Sequence, residues 1–173
     1  MGNRKEKGLI YKKCWPRKNL GEVVLFLESI HPEGLSINVI GKEIGMTPGA
    51  VSNMFMKDNM RLSKAEEIAR KYGYTLTLLF PTKTYPEGIE APKHGRTFER
   101  AGNLAGLAMY IYDSRKTVNS VANEMGIWPT MLVNAMKTGD IFLDKLYKVT
   151  DHLRIGVQWI YEKNDEKTNN EKI

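Results

Sequence analysis

The chain has 173 residues, 42% of them hydrophobic, with a formal net charge of +6 and a single cysteine. That length holds one ordinary domain or two small ones with real cores, and the absence of any run of eighteen apolar residues argues against a membrane-spanning helix. The lone Cys14 has no internal disulfide partner, which fits a reducing, cytoplasmic setting.

The positive charge is not spread evenly. Residues 1–18 carry Arg4, Lys5, Lys7, Lys12, Lys13, Arg17 and Lys18 against Glu6 alone, so the excess belongs to an N-terminal arm and the rest of the chain is neutral overall. Such an arm suits contact with phosphates or a minor groove, with a solvated leader as the plain alternative. Leu9, Ile10, Tyr11 and Trp15 complicate both readings, because large apolar side chains tend to pack on something. The apolar patch Gly8 to Tyr11 is cut off at once by Lys12 and Lys13, so a soluble protein without a signal peptide is expected. Glu6 stands where a myristoylation signal wants Ser or Thr.

Residues 20–31 form the first expected helix, with Val23, Phe26, Leu27 and Ile30 on one face and His31-Pro32-Glu33-Gly34 breaking it. The stretch Ser36 to Lys57 then reads as helix, tight turn, helix. Ser36 is placed to cap the first of these, and Ile37, Ile40 and Ile44 make its buried stripe. Gly41 lies on that stripe, where a missing side chain lets another backbone come close. Gly45 ends the helix, Thr47 can cap the next, and Pro48 suits its first turn. Val51 and Phe55 point inward, leaving Gly49, Ser52, Asn53 and Lys57 outward or near the rim. Ser63-Lys64-Ala65-Glu66 has the form of a capping box before a fourth helix that buries Ile68, Ala69 and Tyr72 and stops at Gly73. In Tyr74 to Phe80, Tyr74, Leu76, Leu78 and Phe80 alternate as in a half-buried strand.

Residues 20–74 resemble the lambda-repressor-like (Xre/Cro) family of helix-turn-helix regulators, a likeness that continues through Asp58-Asn59-Met60-Arg61-Leu62-Ser63. The chain departs from it in carrying Gly41 where alanine is common and in lacking a glutamine near Pro48. The resemblance implies a small helical domain that binds double-stranded DNA and regulates transcription, in the manner of a repressor.

Residues 82–102 contain Pro86, Pro92, Gly88 and Gly95, a spacing that no regular element survives, and are read as a linker. Beyond it the first unit recurs without a gap at an offset of 81 residues. Ile30, Asn38, Glu43, Gly45, Pro48, Asn53, Leu62 and Lys64 return as Ile111, Asn119, Glu124, Gly126, Pro129, Asn134, Leu143 and Lys145. Buried positions match in kind, and Ile155, Val157, Trp159 and Tyr161 repeat the strand pattern. The expected fold is therefore mainly α: a basic arm (1–18), a helix-turn-helix domain (19–81), the linker (82–102), a second such domain (103–162) and a disordered polar tail (163–173). Strands 74–80 and 155–161, each with one apolar face, are expected to pair antiparallel. Pairing within one chain gives a monomeric pseudo-dimer; pairing between chains gives a homodimer.

The two outward helix faces differ. Thr47, Gly49, Ser52, Asn53 and Lys57 make a small polar surface suited to phosphates and an Asn–adenine pair, with Arg61 and Lys64 nearby. In the second unit Trp128, Met131 and Val133 replace Thr47, Ala50 and Ser52, leaving Thr130, Asn134, Lys137, Thr138 and Lys145. That greasier surface suits thymine methyls, a degenerate half-site or packing. His31, His94 and His152 have no ligand-spaced partners, and no phosphate loop, nucleophile motif or acidic pair stands out, so neither cofactor nor enzymatic activity is expected. The leading expectation is sequence-specific binding of double-stranded DNA. Its alternative is a protein-interaction module on the same fold with weak or no DNA binding.

Overall fold

The structure, a computed structural model, describes residues 18–81, 87 and 101–165. Four helices, α1 (Gly21–Ile30), α2 (Ile37–Ile44), α3 (Pro48–Met56) and α4 (Leu62–Lys71), lead into strand β1 (Tyr74–Leu79). After one 3-10 turn at Gly102–Leu104 the pattern recurs as α5 (Ala105–Asp113), α6 (Val118–Glu124), α7 (Pro129–Thr138), α8 (Leu143–Leu153) and β2 (Gln158–Lys163). The fold is mainly α, with helix-turn-helix pairs α2–α3 and α6–α7 and one two-stranded antiparallel sheet. The basic arm up to residue 17, nearly all of the linker and the tail beyond 165 lie outside the described residues.

Local chemistry forms the first turn much as its residues dictate. Thr47 Oγ1 accepts the Ala50 N–H at 3.2 Å, Pro48 occupies the first helical position, and Gly45 is left-handed at φ 73°. Gly41 is required by contact: a Cβ there would lie 2.6 Å from the Met46 carbonyl oxygen. The approaching backbone is thus that of the turn itself rather than of the second helix.

The two units meet around an approximate two-fold axis. In the β1–β2 ladder Leu78 faces Trp159, its own equivalent 81 residues on, with Leu76 facing Tyr161 and Tyr74 facing Lys163. A second pair of equivalents, Arg61 and Phe142, forms an isolated antiparallel bridge. Around it the Leu62 N–H donates to the Ile141 carbonyl at 2.8 Å, and the Leu143 N–H donates to the Met60 carbonyl at 2.9 Å. These two bonds are images of each other. So are two caps: the Asp140 carboxylate accepts the Ser63 N–H and hydroxyl, both at 2.9 Å, while the Asn59 side-chain oxygen accepts the Asp144 N–H at 3.2 Å. Each unit caps the fourth helix of the other.

This arrangement corrects the expected capping box. Helix α4 begins at Leu62, one residue before the Ser63 expected to cap it, and Arg61 at its cap position makes no side-chain bond, because Asp140 from the second unit already holds the Ser63 group. The strands also differ from the expected 74–80 and 155–161. The partners of Val157 and Gly156 would be Phe80 and Pro81, and proline has no N–H to donate, so the ladder stops at Leu79–Gln158. At its other end it runs on: Lys163 pairs with Tyr74, and the Asn164 N–H donates to the Gly73 carbonyl at 2.8 Å. Lys163, expected in the tail, therefore belongs to β2. Likewise Ala101 and Gly102, expected in the linker, open the second unit, with Ala101 fully buried.

Buried side chains of both units form one continuous core. Phe26 on α1 stacks on Tyr161 of β2 at 4.0 Å between ring centres and meets Tyr74 edge-on at 5.3 Å. The outer edge of β1 is sealed by Asn103, whose amide accepts the Leu78 N–H and donates to the Leu76 carbonyl. Buried Asp58, itself left-handed at φ 50°, accepts the Asn19 and Leu20 N–H groups at the start of α1.

Asp140→Ala is expected to lower unfolding free energy by about 1–2 kcal/mol in chemical denaturation, as cap removal does, with Asn59→Ala, which removes one longer bond, costing less. Arg154 is left-handed at φ 53° where its equivalent Gly73 is also left-handed at φ 79°. Arg154→Gly is therefore expected to stabilise the protein by about 1 kcal/mol, read as a raised melting temperature.

Candidate nucleic-acid interface

The approximate two-fold axis relates α3 to α7, which stand at equal heights along it. The bridging segments around Arg61 and Phe142 follow α3 and α7 within about five residues.

On α3, Gly49, Asn53 and Lys57 are exposed at four-residue steps, opposite buried Val51 and Phe55. Thr47 is exposed, its hydroxyl oxygen accepting the Ala50 N–H, and Ser52 is half-buried. On α7, Thr130, Asn134, Lys137 and Thr138 are exposed on one face, opposite buried Leu132, Ala135 and Met136. The Thr138 hydroxyl donates to the Asn134 carbonyl at 2.9 Å. Both outward asparagines are thus presented at equivalent places. Arg4, Lys5, Lys7, Lys12 and Lys13 lie outside the described residues.

Arg61 sits elsewhere than with the first unit's polar face. Its guanidinium lies 4.4 Å from the centre of the Phe142 ring and donates to Asp140 at 3.4 Å. There it lines a cavity of about 350 Å³ together with Met131, Asn134, Thr138 and Lys145 of the second unit. The axis therefore gathers Arg61, Asn134 and Lys145, selected from different units, around one concavity. Lys64, the equivalent of Lys145, is instead held 3.1 Å from Glu67.

Trp128, expected on the greasier face of the second unit, stands at the cap position of α7, makes no side-chain cap bond and is 83% exposed, the most exposed large apolar residue among those described. Other contributors escaped the sequence reading. Asn59 and Asp140 stand at equivalent positions just before the fourth helices, so the repeat alignment held a signal for the exchanged caps. Phe142 as the platform for Arg61 left none, since only the pairing of equivalents brings them together.

Two histidines rest on equivalent carboxylates: His31 lies 3.1 Å from Glu43, which also accepts the Tyr72 hydroxyl, and His152 lies 2.8 Å from Glu124. The His152 and Lys116 hydrogen bonds hold Glu124 below the usual carboxylate value. Comparison of the chain with protein-family models, curated proteins and solved structures finds no match. Function must be argued from the site.

Burial, reinforced by Asp140 and opposed by Arg70, raises the Glu66 pKa above its ordinary 4.5. A raised native value means that ionisation of Glu66 at neutral pH costs stability, and that this cost is relieved as pH falls. Glu66→Gln is expected to melt higher than the parent at pH 7, with the difference shrinking on acidification and gone below pH 4.5. Parallel melting curves across that range check it.

Proposed function

We propose that the protein binds double-stranded DNA sequence-specifically through α3 and α7 and acts as a transcriptional regulator of the lambda-repressor-like kind. The observation that carries this reading is the approximate two-fold axis relating two helix-turn-helix units. Recognition helices so related suit successive major-groove faces about one helical turn, roughly 34 Å, apart. Outward Asn53 and Asn134 have the paired donor and acceptor that adenine presents in reverse, and Lys57, Lys137 and Lys145 supply cations for flanking phosphates. The pairing of β1 with β2 of the same chain supports the reading that one chain supplies both halves.

The exposed Trp128 and Met56 favour a second reading, a protein-interaction module on this fold. Selection from a randomised duplex pool with the full chain near physiological salt distinguishes them. Two enriched half-sites about one turn apart are expected; no enrichment would turn the assignment to the interaction module. In the same assay Asn53→Ala is expected to relax preference at one base pair and to cost about 1–3 kcal/mol. An unchanged preference would remove Asn53 from the reading set.

A further inference from the structure

We infer that the two halves read DNA by different chemistry: the second unit recognises thymine methyl groups through Trp128 and Met131, so the operator is asymmetric and the chain binds it in one orientation. This rests on the DNA-binding reading above and specifies it.

Residues at the N-terminal end of a recognition helix are those that meet base edges. At that end of α3 stand Thr47, whose hydroxyl is engaged in its own cap, and exposed Ala50 and Gly49, all small. At the same end of α7 stands Trp128, 83% exposed and bonded to no backbone group as a cap. Met131, half-buried and bordering the cavity beside Asn134, follows in the first turn of α7. The rest of the α7 face keeps the polar pattern of α3, with Asn134 matching Asn53 and Lys137 exposed near its C-terminal end. Val133 also replaces Ser52, but it is half-buried against the core, so the exposed apolar change is at the base-reading end. In the major groove the one apolar feature of a base pair is the C5-methyl group of thymine, and apolar side chains discriminate by contact with it. An indole and a thioether offer a broad, polarisable surface for such methyls. The first unit offers only the Thr47 and Ala50 methyl groups there, a much smaller apolar surface, and discriminates chiefly through hydrogen bonds of Asn53 and Ser52.

The test replaces thymine by uracil, which lacks the methyl group and keeps the pairing edge, in one half-site at a time of the selected duplex. Binding of the full chain and of Trp128→Thr, which installs the first unit's residue at an exposed position, is then measured. Parent protein is expected to lose about fourfold in affinity for each contacted methyl removed, the change that burial of one such group supplies. The loss should be larger in one half-site than in the other, and Trp128→Thr should bring it down to the level of the other half-site. Equal sensitivity in both half-sites, sensitivity in neither, or a difference that survives Trp128→Thr overturns the inference while leaving DNA binding intact. Failure of the parent to bind any duplex overturns both. Melting temperature of Trp128→Thr equal to the parent's shows that the fold is unaffected.

Discussion

Two reciprocal backbone hydrogen bonds, Leu62 to Ile141 and Leu143 to Met60, are the constraint on which the remaining architecture depends. They close around Arg61 and Phe142 and bring Asn59 and Asp140 within reach of the helix starts opposite. Neither α4 nor α8 has a side-chain cap at its own cap position, so each relies on its counterpart for the N–H groups that a helix start leaves unpaired. The strands tell the same story. A lone two-stranded ribbon is marginal in water, and this one is supported by aromatic packing of Phe26 from the first unit on Tyr161 from the second. Two units that share caps, a ladder and one core behave as halves of one body.

That interdependence explains which parts were legible in the sequence. Everything governed by neighbours along the chain could be read: the Thr47 cap, the left-handed Gly45, Pro48 at a helix start, and the alternating Leu76 and Leu78. The repeat offset added the prediction that the strands pair, which the ladder bears out within a single chain. What failed was judged from one unit alone. Ser63 to Glu66 has the form of a local capping box, yet the Ser63 amide and hydroxyl are taken by a carboxylate 77 residues away. The strand limits moved because Pro81 lacks an N–H, a reason visible in the sequence once a register is chosen and invisible before. The outward polar residues Asn53, Asn134 and Lys57 were legible as exposed, whereas the grouping of Arg61 with Asn134 and Lys145 needed the axis.

The axis also organises the functional argument. It relates α3 to α7 with their asparagines at equivalent places, and this symmetry supports the proposal that a duplex with repeated grooves is the partner. The departures from symmetry then carry information. Lys64 is held by Glu67 while Lys145 borders a cavity, and Thr47 is folded into a cap while Trp128 stands in solvent. Similar scaffolds with unlike surfaces are what one expects when fold and recognition are set by different residues.

On a true two-fold axis a residue must meet a copy of itself. Arginine there would confront arginine, and a tryptophan would confront a tryptophan. Carrying both halves in one chain lifts that restriction, and the positions on the axis are indeed unlike: Arg61 lies over Phe142, and Leu78 opposes Trp159. A cation over an aromatic ring attracts, whereas two guanidinium groups at that distance repel. The joint is accordingly keyed, like two unlike parts of a clasp. A first half therefore fits a second half better than it fits another first half, and the joint disfavours the pairing of like halves.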